Sequence, residues 1–249
     1  MSRIGIIGGS GLEKPEILKT PEYKTTDTPY GKPSSPLISG LIDGKEIVIL
    51  SRHGFDHSLP PTQVNNRANI MALKQEGCTH ILATTACGSL RQDIGRGDIV
   101  IPDQFIDFTR HRINTFFESF DNGNLRHTAM ADPFDTGLRN LLIGSASGLA
   151  LPFHPAGTVI TIEGPRFSTR AESKMFRAWG ADIINMSVAP EVILANEAGI
   201  PYAAIAMSTD YDCWKEDEEA VSWEEVLKVF NENVHNVIRL LLDVIGRIA

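Results

Sequence analysis

The 249-residue chain is poor in several features that would assign it to a class at once. It has three cysteines, Cys78, Cys87 and Cys213, with no CxxC pair. An odd count of scattered thiols is a poor disulfide framework and suits a reduced, cytoplasmic compartment. There is no lysine- or arginine-rich block, and the formal net charge of -8 repels nucleic acid overall. No run reaches about 18 apolar residues, so no membrane span is expected. The opening residues lack a basic stretch followed by an apolar one, so no leader is expected. A P-loop lysine motif and an HExxH spacing are both missing, which argues against an ATPase-type cradle and a zincin-type metal site.

Short apolar runs alternate with helical periodicity along the whole chain. Strands are expected at residues 3–7, 46–50, 80–84, 98–101, 157–162, 183–186 and 202–207. Helices are expected at 65–76, 136–149, 170–179 and 189–198. A last helix follows Ser222 and Glu225, which form a capping-box pattern. The proline- and glycine-rich stretch between the first two strands reads as turns, and 105–133 reads as an excursion suited to a subunit contact. Alternation of this kind predicts an α/β sheet covered on both faces, in one domain spanning residues 1–249. The pattern does not set the strand order.

Polar residues cluster just past the apolar runs, where open α/β proteins bind ligands. Gly8-Gly9-Ser10-Gly11 follows the first strand. It breaks the G-x-G-x-x-G spacing of a dinucleotide site but lets backbone N–H groups approach an anion; a plain tight turn is the alternative. Arg52-His53-Gly54 offers a planar fork of donors for oxyanions, or a surface pair. Thr84-Thr85-Ala86 and Ser187 add hydroxyls. Asp210 and Asp212 flank Tyr211, and strand alternation would aim both carboxylates at one ligand. One protonated and one ionised carboxyl could read the N6 and N7 edge of adenine; a cation site or a solvated turn are the alternatives. In Glu163-Gly164-Pro165-Arg166-Phe167, Arg166 could pair with a carboxylate, and Phe167 could stack on a base or pack the core. Met186 could cover a sugar or fill the core. The sum points to an enzyme acting on a small molecule and an anion.

Five blocks together are more specific: residues 4–12, Arg52-His53-Gly54, Thr84 to Leu90, Thr161 to Glu172, and Ser208 to Trp214. They closely resemble the trimeric branch of the purine nucleoside phosphorylase family, over residues 3 to 249. The resemblance implies an α/β fold with a central mixed, partly barrel-like sheet surrounded by helices. It implies a homotrimer with sites near subunit boundaries. It also implies phosphorolysis of S-methyl-5'-thioadenosine to adenine and 5-methylthio-α-D-ribose 1-phosphate in methionine and purine salvage, with phosphate as co-substrate and no cofactor or metal. Phosphate-binding roles fall on Ser10, Arg52, His53, Thr85 and Ser187, and purine-site roles on Ala86, Phe167, Ser168, Asp210 and Asp212. Met186 is similar to the residue packed on the ribose. Trp223, Val226 and Leu227 are similar to the 5' pocket, with His127 arriving from a neighbouring subunit. Asp210, Asp212 and Ser187 are the expected catalytic set. Two departures bear on 5' selectivity: some relatives place a smaller aliphatic residue at Trp223, and many extend beyond the equivalent of Ala249. A broader nucleoside phosphorylase, a hydrolase independent of phosphate and a sensing module without turnover are the rival functions.

Overall fold

A computed structural model describes residues 2–8, 17–120, 123, 125–217 and 222–249. The site is positioned by three parallel strands near the sheet's centre. β1 (Arg3–Gly8) lies between β4 (Lys45–Ser51) and β5 (His80–Ser89), with Ile4 opposite Ile47 on one side and His80 on the other. β5 also pairs in parallel with β11 (Tyr202–Asp210) and, at its far end, antiparallel with β10 (Ile183–Asn185). One long strand thus has three partners, and the mixed sheet branches there. One arm continues through β10 to β9 (Thr158–Ile162) and β7 (Gln104–Phe108). The other runs from β11 to β6 (Ile99–Val100) and β8 (Phe153–His154).

Alternation along β1 sorts the core into two faces. Ile4 and Ile6 join Ile47, Ile49 and Leu82 beneath α2 (Thr136–Gly148) and α5 (Trp223–Arg247). Ile7, Val48, Leu50 and Ile81 pack on the other face with Ile70 and Leu73 of α1 (Asn66–Gln75) and Val192 of α4 (Val188–Ala198). A smaller cluster sits under α3 (Arg170–Ala178), around Ile160, Ile162 and Phe176. The expected helices all form. Of the capping box expected at Ser222 and Glu225, the structure shows the Ser222 side chain accepting from the Glu225 N–H. Caps not anticipated stand elsewhere: Asn65 accepts from the Ala68 N–H, and Thr169 with Glu172 closes a full capping box. Among the described residues no helix is long and apolar enough to cross a membrane.

Two stretches differ from expectation. The region read as turns contains β2 (Lys19–Lys24) and β3 (Leu37–Ile42), antiparallel to each other and to β4. β2 is exposed throughout and has no apolar face to betray it. Its close approach depends on Gly40, where a Cβ would lie 2.9 Å from the Lys19 carbonyl oxygen. Within the expected excursion, β7 pairs with β9 along five residues. In addition, β5 and β11 run further than their apolar runs. Thr85, Ala86 and Cys87 stay in register with Ala206, Met207 and Ser208, and Asp210 reaches Gly88 after a bulge. Polar side chains facing a cavity hide a strand's continuation, because alternation against water is lost.

Candidate active site

A cavity of about 430 Å³ opens where β4, β5, β10 and β11 end. It collects Arg52, His53, Thr85, Ala86, Phe167, Ser168, Met186, Ser187, Asp210, Asp212, Trp223 and Val226 from the expected set. Ser10 lies outside the described residues. Leu227 does not line the cavity: it follows Val226 on α5, so it is turned about 100° away from the wall that Val226 occupies. His127 is exposed and packs edge-on to Phe120 at 5.7 Å, away from this chain's own cavity.

At one end the groups are donors. Arg52 is only 2% exposed. Its Nε and Nη2 donate to the two carboxylate oxygens of Glu191, and its Nη1 donates to the Thr84 carbonyl at 2.9 Å. Next to it, the Thr85 and Ser187 hydroxyls lie 3.2 Å apart. Ser187 is the N-cap of α4, yet its side chain makes no capping bond. The hydroxyl is thereby presented where the helix's N-terminal N–H groups and dipole favour an anion. Asn185 contacts Thr85 Oγ1 at 3.4 Å and is oriented by the Thr161 hydroxyl at 2.8 Å. His53 Nδ1 is 2.8 Å from the Leu59 carbonyl, which can only accept, so Nδ1 carries the proton.

Carboxylates hold the other end. Asp210 ends β11, and its Oδ1 accepts from the Asp212 N–H while its Oδ2 accepts from the Thr209 hydroxyl, both at 2.8 Å. The two aspartates therefore meet through a turn, with Asp212 at φ +49°, and not through strand alternation as expected. An aspartate accepting the N–H two residues on stabilises such a turn. Gly88 makes room, since a Cβ there would lie 2.8 Å from Asp210 Oδ1. Burial pushes the Asp210 carboxyl up to about 6 against these two hydrogen bonds, and the charge of Asp212 adds to the rise. The Ser168 hydroxyl sits 2.6 and 2.7 Å from the Asp212 oxygens. Burial raises the Cys87 thiol well above its ordinary range, with the Asp210 charge adding to it, which keeps this wall residue unreactive.

The rim is aromatic and more open. Phe167 is 40% and Trp223 42% exposed. The His57 ring lies 5.6 Å from Trp223 and 4.5 Å from His53, forming a strip along one edge. The loop carrying Phe167 is held from both sides. Arg166 forks onto Glu172 at 2.7 Å twice, as its sequence position suggested, and Glu163 takes N–H groups of residues 110 and 111 and the Arg112 guanidinium. Among the described residues no group of three or more His, Cys, Asp or Glu side chains is arranged to hold a metal ion.

Sequence reasoning passed over Glu191, Asn185, Thr209, His57 and the 58–61 wall. Glu191 had a signal: it is the only ionisable group in the first two turns of an apolar helix, and a fully buried charge requires a partner. Asn185 and Thr209 lacked one, because small polar residues near strand ends are common, and His57 and the 58–61 wall lie in the connection between β4 and α1, with no periodicity to orient them.

Residues 3–246 match the model of the phosphorylase superfamily. The chain is 57% identical to S-methyl-5'-thioadenosine phosphorylase of Xenopus tropicalis, over 99% of this chain and 89% of that relative. The corresponding protein of Danio rerio is 55% identical with the same coverage. The solved structure of methylthioadenosine phosphorylase from Schistosoma mansoni in complex with adenine superposes with a TM-score of 0.93 at 44% identity, covering 99% of this chain and 91% of that one. An adenine complex of a double mutant, named there as adenosine/methylthioadenosine phosphorylase, gives a TM-score of 0.92 at 44% identity, covering 99% and 92%. The chain belongs to the phosphorylase superfamily and, within it, to the family of the S-methyl-5'-thioadenosine phosphorylases.

Proposed function

We propose that the protein cleaves S-methyl-5'-thioadenosine with inorganic phosphate, giving adenine and 5-methylthio-α-D-ribose 1-phosphate for methionine and purine salvage. The observation that carries this reading is the division of one cavity into a donor end (Arg52, Thr85, Ser187) and a carboxylate end (Asp210, Asp212). A nucleoside laid across the cavity presents C1' to the first and its purine to the second. Phosphate on Arg52, His53, Thr85 and Ser187, with Ser10 completing the set, sits in line with the C1'–N9 bond. As that bond lengthens its electron pair moves onto the purine, and the sugar acquires positive charge that the phosphate dianion stabilises. Asp210 gives its proton to N7, and an acid with a value of about 6 is matched to that task near neutrality. Asp212, aligned by Ser168, accepts from the 6-amino group. A phosphate oxygen then bonds to C1'. Ala86, Phe167 and Met186 enclose base and sugar, and Trp223 with Val226 borders the 5' group.

The reaction needs no cofactor, and phosphate is a co-substrate. In this reading residues 1–249 act as one catalytic domain in the cytoplasm, in a homotrimer where His127 of a neighbouring copy completes the 5' pocket. Adenosine is the second reading, favoured by the exposed rim at Trp223 and by the name given to the Schistosoma mansoni protein.

The test is adenine release from methylthioadenosine, adenosine and inosine, with and without phosphate. Phosphate-dependent release favouring methylthioadenosine is the expected result. Preference for adenosine would move the 5' assignment, and release without phosphate would overturn phosphorolysis in favour of hydrolysis.

A further inference from the structure

We propose that Glu191 and Tyr202 are positioning residues for phosphate: a buried brace that holds the Arg52 guanidinium in the plane from which it meets the nucleophile. The inference rests on the reading of the donor end as the phosphate site. Glu191 is 0% exposed, Tyr202 1% and Arg52 2%. Both carboxylate oxygens of Glu191 receive Arg52, and its Oε2 also accepts from the Tyr202 hydroxyl at 2.8 Å. Two parallel bonds between a planar fork and a planar carboxylate fix the rotation of both groups. The Thr84 carbonyl on Nη1 adds a third point, one residue before the Thr85 hydroxyl. The brace spans three elements: Arg52 directly after β4, Glu191 in the first turns of α4, and Tyr202 at the start of β11.

Stability alone does not account for the arrangement. An apolar trio of similar volume is commonly as stable as a buried ion pair, or more so. What the ion pair adds is direction. It also tempers charge, because a guanidinium matched by a carboxylate offers phosphate directed donors without a full excess positive charge. Tyr202 keeps its proton, burial and the Glu191 charge both raising the phenol well above its ordinary range, so it serves Glu191 as a donor. Glu191 and Tyr202 do not line the cavity, so they act through Arg52.

The experiment measures phosphate and nucleoside dependence separately for Glu191→Gln and Tyr202→Phe, together with thermal protection by inorganic phosphate alone. Gln cannot accept two guanidinium bonds, and its amide would face a donor. Its phosphate KM should rise about ten- to a hundredfold, the range for a charged hydrogen bond. Tyr202→Phe keeps volume and removes one bond, and should raise phosphate KM by about three- to tenfold. The nucleoside KM should stay within about twofold in both, and phosphate should protect both variants less than the parent. Unchanged phosphate KM and protection in Tyr202→Phe would overturn the brace, and so would equal rises in both KM values. If Glu191→Gln fails to fold, Tyr202→Phe still decides. A parent protein with no phosphate-dependent turnover would count against the functional reading, while phosphate protection reports on the brace independently of turnover.

Discussion

The two sides of the cavity are built differently. The inner wall, from Arg52 to Asp210, comes from strand ends, and its polar groups are buried and held by named partners. The rim, from His57 to Trp223 and Phe167, is more open: the His57 and Trp223 rings touch, and the loop carrying the exposed Phe167 is held by the Arg166–Glu172 fork. In the proposed reaction the inner wall meets the atoms whose charge changes, and the rim meets the 5' group and the face of the base. Donors fixed in a dry wall cost little reorganisation as charge develops. A rim of exposed rings can change without disturbing that wall, which places selectivity where substitution is tolerated.

Arg52→Met should show the largest effect. It leaves Glu191 buried with Tyr202 but without its cation, at a cost of about 3–5 kcal/mol in stability, and removes the proposed phosphate donors. Denaturant unfolding and phosphate titration measure both losses. A variant of parental stability would break the contrast, showing that the inner wall tolerates change as the rim does.

Asp210→Asn comes next. Turnover should fall by about 10²–10⁴-fold at pH 6 with phosphate KM unchanged, because the amide can donate a hydrogen bond but not a proton. Since the parent loses its proton as pH rises through about 6, the gap between the two should narrow above that value. Stability follows the same proton. The folded value exceeds the ordinary 3.8, so the native state binds more protons than the unfolded chain between about pH 4 and 6. The parent should therefore lose up to about 3 kcal/mol across that window, and the Asn variant should gain on it by that amount. A gap in turnover that is constant with pH would remove Asp210 as the acid.

Much of this wall was legible as polar residues following apolar runs: Arg52, Thr85, Ser187 and Asp210 are all where that pattern put them, on one cavity. Their partners were less so. Glu191 meets Arg52 across 139 positions, and only the oddity of a charge in an apolar helix hinted at it. The carboxylate pair was legible as a pair, with a turn only as a solvated alternative; the buried turn was not legible, because the left-handed conformation at Asp212 has no glycine to announce it. β2 escaped because an edge strand exposed on both faces shows no alternation. At the rim, Val226 and Leu227 are neighbours that helical rotation separates, and the sequence does not say which of two adjacent apolar residues faces the cavity.

Ser168→Ala tests the junction of wall and rim. Ser168 is half-buried, on the loop before α3, yet its hydroxyl serves the buried Asp212. Losing one bond to a charged group should lower kcat/KM for the nucleoside about tenfold and leave phosphate KM alone. An equal loss with both substrates would mean that the loop carrying it supports the whole cavity.

Trp223→Leu should have the smallest effect and the sharpest meaning. The ring stands in the first turn of α5, 42% exposed, so truncation opens no core cavity. Its contribution is a ring surface at the proposed 5' group, and such contacts are worth about 0.5–1.5 kcal/mol, or roughly two- to tenfold in the preference for methylthioadenosine over adenosine. Phosphate KM should not move. The ring nevertheless faces His57, and His57 faces His53 at the phosphate end. If the strip transmits strain, the same substitution raises phosphate KM as well, and wall and rim are then one unit joined by two histidines. Measuring both constants in this variant separates the alternatives, because a change confined to the 5' preference can arise only if the rim is independent of the wall.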